Sequence, residues 1–161
     1  MKELYLKTLA LLNTDVVPTD PIELEIFNDL KKINYADLDK KQIDQFNVRP
    51  AIDFPAVLIK IEILKSEDIG DKCQKCTARV TLRLAFSYVG STASHAPADV
   101  LSDSLEYFDI VNAVYRKFQG YFSTGFTRFS RLQLTEETRN DGLKVVSLPF
   151  TTSFIDKSAA N

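Results

Sequence analysis

Two stretches of alternating residues leave this chain few folds to choose from. In Ala56-Val57-Leu58-Ile59-Lys60-Ile61-Glu62-Ile63-Leu64, the odd positions hold Val57, Ile59, Ile61 and Ile63, and the even ones include Lys60 and Glu62. From Thr77 to Val89, the residues Val80, Leu82, Leu84, Phe86 and Tyr88 alternate with Arg79, Thr81, Arg83 and Ser87. Successive side chains of a strand point to opposite faces, so a period of two marks a strand that is half buried. Residues 65–76 read as a polar loop between the two. The pair therefore predicts an antiparallel hairpin with one apolar face and one wet face. On the wet face Lys60 and Glu62 are placed to meet Arg79 and Arg83. These four residues are the candidates for subunit contact, set against the plainer reading of a solvated sheet face.

The segments around the hairpin follow a helical period or turn chemistry. Over residues 1–13, Leu4, Thr8, Leu11 and Leu12 share one face, and Lys2, Glu3 and Lys7 lie outside it. Asn13-Thr14-Asp15 and the prolines Pro18 and Pro21 end that helix. Asp20-Pro21-Ile22-Glu23 has a capping residue, a proline suited to the first helical position and a glutamate three residues after the cap. Ile22, Ile26, Leu30 and Ile33 then share a helical face, while Ile22, Leu24 and Ile26 also alternate as a strand would. The cap favours the helix; both readings stay open for residues 20–33. A short strand is expected near Ile33–Leu38, then a loop. Gly90 to Pro97 reads as a loop, followed by a helix over 99–119 with a stripe of Leu101, Leu105, Phe108, Val111, Val114, Tyr115 and Phe118. Two more strands, near Arg128–Glu136 and from Leu143 to Phe154, flank an Asp141-Gly142 turn and suggest a closing hairpin. Residues 156–161 are expected to form a flexible tail. The order helix, strands, helix, hairpin defines an α+β fold: an antiparallel sheet of four to five strands packed against two or three helices, in a single domain over 1–161.

Composition narrows the function classes. At 161 residues with 45% hydrophobic and 26% charged residues, one core suffices without a metal or disulfide staple. The formal net charge of -2 lacks the basic excess through which phosphate neutralisation drives nucleic-acid binding, so no nucleic-acid partner is expected. No apolar run approaches the ~20 residues that span a bilayer. The first residues lack the pattern of a signal peptide, which makes a cytoplasmic origin the default.

Chemistry-bearing residues are sparse. Cys73 and Cys76 form a single C-x-x-C, half of a zinc site, and it precedes a strand rather than opening a helix. The single histidine, His95, lies in Ser94-His95-Ala96-Pro97, poor surroundings for a catalytic base. Asp37-Leu38-Asp39 with Asp44 offers carboxylates for a divalent ion, yet Lys40 and Lys41 interrupt them and the glycine of a calcium loop is missing. Phe122, Phe126 and Phe129 near Arg128 and Arg131 resemble a stacking platform, a spacing that more often serves a core. No phosphate-binding glycine loop or nucleophile elbow occurs. The expectation is a protein with no catalytic, metal or cofactor site.

The layout as a whole resembles the tail terminator, or tail-completion, proteins of long-tailed bacteriophages and prophages. The resemblance runs over nearly the whole chain. It rests on the amino-terminal helix, on Arg49-Pro50-Ala51-Ile52-Asp53-Phe54-Pro55-Ala56-Val57-Leu58-Ile59 entering the first long strand, and on the hairpin. It rests further on Leu105-Glu106-Tyr107-Phe108-Asp109-Ile110-Val111-Asn112-Ala113-Val114 in the following helix, and on the closing strand pair from Phe129 to Asp156. The Cys73/Cys76 pair and the long segment before Phe54 depart from the family's pattern. What the resemblance implies is a non-enzymatic ring, usually a hexamer, at the head-proximal end of the tail tube. Such a ring ends tube growth and joins tail to head through tail-tube and head-connector proteins. It assembles in the host cytoplasm and resides in the virion tail or neck. The alternatives are another assembly module, of a mobile element or a contractile secretion device, and, third, a small enzyme or ligand-binding domain.

Overall fold

The computed structural model describes residues 1–13, 15–44, 51–87 and 93–160. Helix α1 spans Lys2–Leu12 and α2 spans Pro21–Leu30. Strand β1 (Tyr35–Leu38) is followed by β2 (Ala56–Gly70) and β3 (Cys73–Ser87). Helix α3 covers Ala98–Phe118, and the chain closes with β4 (Ser130–Arg131), β5 (Thr135–Glu137), β6 (Leu143–Asp156) and a 3-10 turn over Ser158–Ala160. The expected strand end at Tyr88–Val89, the start of the loop at Gly90 and the Arg49-Pro50 step lie outside the described residues.

The strands form one mixed sheet in the order β1-β2-β3-β6-β4, with β5 also paired to β6. All pairings are antiparallel except β1 with β2, where Tyr35–Leu38 runs parallel to Ala56–Ile59. The three helices cover one face. Val57 and Ile59 of β2, Val80, Leu82 and Leu84 of β3 and Leu148 and Phe150 of β6 meet Leu4, Leu30, Val114 and Phe118 of the helices there. Phe118, Phe129 and Phe150 form an aromatic triad with ring centroids 5.5 to 6.5 Å apart. Truncating one such ring to alanine costs about 3–5 kcal/mol. Buried Thr8 fits this apolar layer because its hydroxyl donates to the Leu4 carbonyl at 2.8 Å.

Residues 20–33 resolve as a helix for most of their length. The Asp20 side chain accepts from the backbone N–H of Ile22 at 2.9 Å and of Glu23 at 3.1 Å, and Pro21 needs no partner at the first turn.

Three expectations need correction. Residues 65–76 are not a loop: β2 and β3 run on as an arm to the tight turn Asp71-Lys72, with Lys72 at φ 54°, and β6 flanks β3 as far as the pair Gln74 and Asp156. The β2 strand of the arm is exposed from Ile63 to Gly70, so the alternation that reveals a half-buried strand is missing there. The strand near Arg128–Glu136 is split into β4 and β5. The Pro149 carbonyl accepts from Leu132 N–H at 2.8 Å, so the side of Pro149 that lacks an N–H faces the same edge and interrupts the ladder there. On α3 the buried set includes Ser104, Ile110, Val111, Ala113, Val114 and Phe118, while Leu105 and Phe108 point outward. At the carboxyl end, Asp156 pairs with Gln74, and a 3-10 turn follows over Ser158–Ala160.

Candidate assembly surfaces

The face of the sheet opposite the helices divides into two parts. Near the β1 end, the chain leaving β1 folds back over the strands and buries Ile43 against Leu58, Ala85 and Val145. An ionic cluster fastens this cover. Arg83 Nε and Nη2 donate to the two Glu137 carboxylate oxygens at 2.7 and 2.8 Å, its Nη1 reaches Asp39 at 3.0 Å, and Nη2 reaches Asp44 at 3.0 Å. Arg139 joins Asp44 at 3.0 Å, Asp141 at 2.6 Å and the Ile43 carbonyl at 2.7 Å. The Arg83 side chain is 13% exposed and Asp39 only 6%. Hydrogen bonds from Arg83 hold the Asp44 and Glu137 carboxyls below their ordinary range, although partial burial pushes the other way. The same carboxylates raise the guanidinium pKa values of Arg83, led by Glu137, and of Arg139, led by Asp141.

Arg83 lines one hollow together with Lys60, Glu62 and Thr81. It sits across from Leu58 in the β2–β3 register, and its charge is spent inside the molecule on Asp39, Asp44 and Glu137. The carboxylates of Asp37, Asp39 and Asp44 are likewise paired with cations of the chain. Asp37 takes Lys40 Nζ at 2.9 Å, while Asp39 and Asp44 turn to Arg83. Sequence reasoning missed Glu137, Arg139 and Asp141, whose alternating signs two residues apart are the signal that three charges leave one side of the chain.

The second part of this face is open. Lys60 and Glu62 pair with each other along β2 at 2.9 Å, and Glu62 lies across from Arg79. Arg79 Nε is buried with no hydrogen-bond partner among the described residues. Lys60, Glu62, Arg79 and Thr81 thus lie on one face of the sheet.

Two apolar features lie apart from the charged face. Along the arm, Ile69, Phe126, Phe154 and Ile155 line a groove of about 540 Å³ with Lys75 as its charged member. Ile69 and Ile155 are 51% and 56% exposed, while Phe126 is buried at its floor. On α3, Phe108 is 51% exposed and stacks on Tyr107 with centroids 4.2 Å apart.

The remaining candidates fall away on position. Cys73 and Cys76 are three residues apart in one strand and therefore point to opposite faces; Cys76 is buried near the Ser66 hydroxyl at 3.4 Å. His95 is exposed in a turn. Phe126 and Phe129 are core residues, Phe122 is exposed, and Arg131 lies over the Tyr115 ring at 3.9 Å. Among the described residues no three metal-ligating side chains are grouped to hold an ion. No helix among them is long and apolar enough to cross a membrane.

The architecture so defined is an α+β fold in which three helices cover one face of a mixed, largely antiparallel sheet. The same fold is found in a chain of a solved structure described as the virion of a native gene transfer agent particle. The match has a TM-score of 0.54 at 9% identity and covers 94% of this chain and 92% of that one. No family model matches the sequence, and no curated protein matches it.

Proposed function

We propose that this chain is a structural subunit of a phage-like particle and acts as a tail terminator. In this reading several copies form a ring at the head-proximal end of the tail tube. The ring ends tube growth and provides the surface on which the head connector docks. The observation that carries the reading is the fold shared with a chain of a gene transfer agent virion over nearly the full length of both. The order of elements that resembles the tail terminator family supports the finer assignment. The outward surfaces fit a part made for assembly: an open strip with Lys60, Glu62 and Arg79, a projecting arm, and exposed aromatic and aliphatic groups near its ends.

The test is deletion of the coding sequence in a particle-producing cell, followed by electron microscopy of the released particles. A terminator predicts headless tails of uncontrolled length, restored by supplying the chain from a plasmid. Complete particles with tails of normal length would overturn the reading. Tails of normal length that lack heads would move the function to the joining step alone.

A further inference from the structure

We infer that copies of this chain join head to tail, with Phe108 of one copy seated in the groove between Ile69, Phe126 and Ile155 of the next. This contact rests on the reading of the chain as a self-assembling subunit and names the surfaces that reading leaves open.

The knob is prepared for burial. Phe108 is half exposed, yet its ring is stacked on Tyr107, which is itself held against Phe86 at 5.7 Å and beneath Lys144 Nζ at 5.2 Å. A ring already fixed in this way loses little conformational freedom when it is covered. Leu105 lies one turn away and is also exposed. The groove is the matching shape: an apolar floor at Phe126, exposed aliphatic walls at Ile69 and Ile155, and room for an aromatic side chain. Exposed apolar patches of this kind on a folded chain mark contact sites.

Charge selects a second copy as the occupant. From Ala98 to Asp109, α3 carries Asp99, Asp103, Glu106 and Asp109 and no basic residue; the neighbouring Lys32 answers Glu106 at 2.8 Å. The charged residue lining the groove is Lys75, and Lys7 Nζ, which also reaches Glu3 at 3.4 Å, stands 5.2 Å from the centre of the Phe126 ring. Lys144 beside the knob is itself paired with Glu136, so the acidic side of α3 next to Phe108 meets the lysine edge of the groove, a complementarity that steers partners into register.

Position decides the symmetry. The Phe108 knob sits beside Lys144 at the start of β6, and the groove includes Ile155 near its end. At ~3.3 Å per residue the two sites are roughly 35 Å apart. A contact between two different patches at opposite ends is heterologous, so each copy that binds presents a fresh site, and the assembly closes as a ring where the rotation between copies comes full circle and otherwise extends as a filament.

The experiment compares the wild-type chain with Phe108→Asp and Ile155→Asp by light scattering over a concentration series. Thermal melting checks that each variant is folded, and Ile69→Asp stands in for Ile155→Asp if the latter does not fold. The wild type is expected to gain mass with concentration. Each single variant is expected to associate at least about tenfold more weakly. Mixed in equal amounts, Phe108→Asp supplies an intact groove and Ile155→Asp an intact knob, so the pair forms a two-chain complex that neither forms alone. Variants that assemble like the wild type, or a mixture that behaves as the sum of its parts, overturn the contact. If Phe108→Asp assembles normally and Ile155→Asp does not, the groove has another occupant and the role of Phe108 falls. A wild-type chain that stays monomeric at every concentration also overturns the contact, while the tail reading is decided separately by the deletion experiment.

Discussion

Arg83 holds Glu137 by two parallel hydrogen bonds, Nε to Oε1 at 2.7 Å and Nη2 to Oε2 at 2.8 Å. The two residues lie on β3 and β5, which never touch as strands because β6 runs between them. The side-chain bridge therefore passes over β6 and, through Asp39 and Asp44, reaches the chain that leaves β1. One guanidinium ties both margins of the sheet to its middle.

Removing that guanidinium leaves Asp39 and Glu137 as poorly solvated anions. Arg83→Met is expected to lower the unfolding free energy by about 3 kcal/mol, read from the urea midpoint. Arg83→Lys is expected to recover only part of this, because an ammonium does not reproduce the fork that grips Glu137 at two points. A midpoint unchanged in Arg83→Met would show that the cluster contributes nothing net.

The same cluster sets a pH dependence. Asp44 and Glu137 have folded-state pKa values depressed by Arg83, so the unfolded chain binds more protons in acid. Their contribution is complete above the unfolded values of about 3.9 and 4.3 and is lost as pH falls through the lower folded values. Urea midpoints measured from pH 7 to pH 3 are expected to hold steady to about pH 5 and then to decline. In Arg83→Met the decline is expected to be shallower. Equal slopes in the two proteins would assign the acid sensitivity to other carboxylates.

The two cysteines should behave as separate thiols. Three strand residues separate their Cα atoms by roughly 10 Å, beyond the ~7 Å limit for a disulfide. Mass spectrometry after mild oxidation is expected to show no loss of two hydrogens within one chain. Cys73, partly exposed, is expected to alkylate before buried Cys76. A chain that closes the pair while folded would contradict the strand register.

Beyond Ile59, β2 has no neighbour on its outer side among the described residues, so the arm carries a bare edge. Register shifts between Ile63 and Lys65 and between Asp68 and Gly70, with Lys65 and Glu67 between them, are the usual protection of such an edge. The double variant Lys65→Val/Glu67→Val is expected to aggregate at concentrations where the wild type stays clear, followed by turbidity. If both stay clear, the irregular backbone alone is protection enough.

What could be read in the residues tracks how local each interaction is. The β2–β3 hairpin, the Asp20 cap and the Asp141-Gly142 turn are written in neighbouring positions, and all three are present. The arm is illegible because Ile63 to Gly70, exposed throughout, has no alternation to display. An apolar residue at helical spacing, such as Leu105 or Phe108 on α3, looks the same whether a core or open water faces it. Alternation reports the face on which the Arg83 side chain lies but not what folds back over that face. Its partners Asp39, Asp44 and Glu137 are 44, 39 and 54 residues away. Parallel pairing of β1 is equally remote from sequence, since four residues carry no sign of direction.

The placement of β6 between β3 and the β4–β5 edge also fixes a timetable. While the chain is being made, β2 and β3 pair as soon as they emerge, but the other side of β3 stays open until residues 143–156 arrive. Until then the aromatic triad lacks Phe150, and α3 has only part of its floor. Closing so long a loop is slow relative to hairpin formation, and the waiting intermediate shows an uncovered apolar strand. Arrival of residues 143–156, rather than formation of the first hairpin, is thus what lets the second side of β3 be covered.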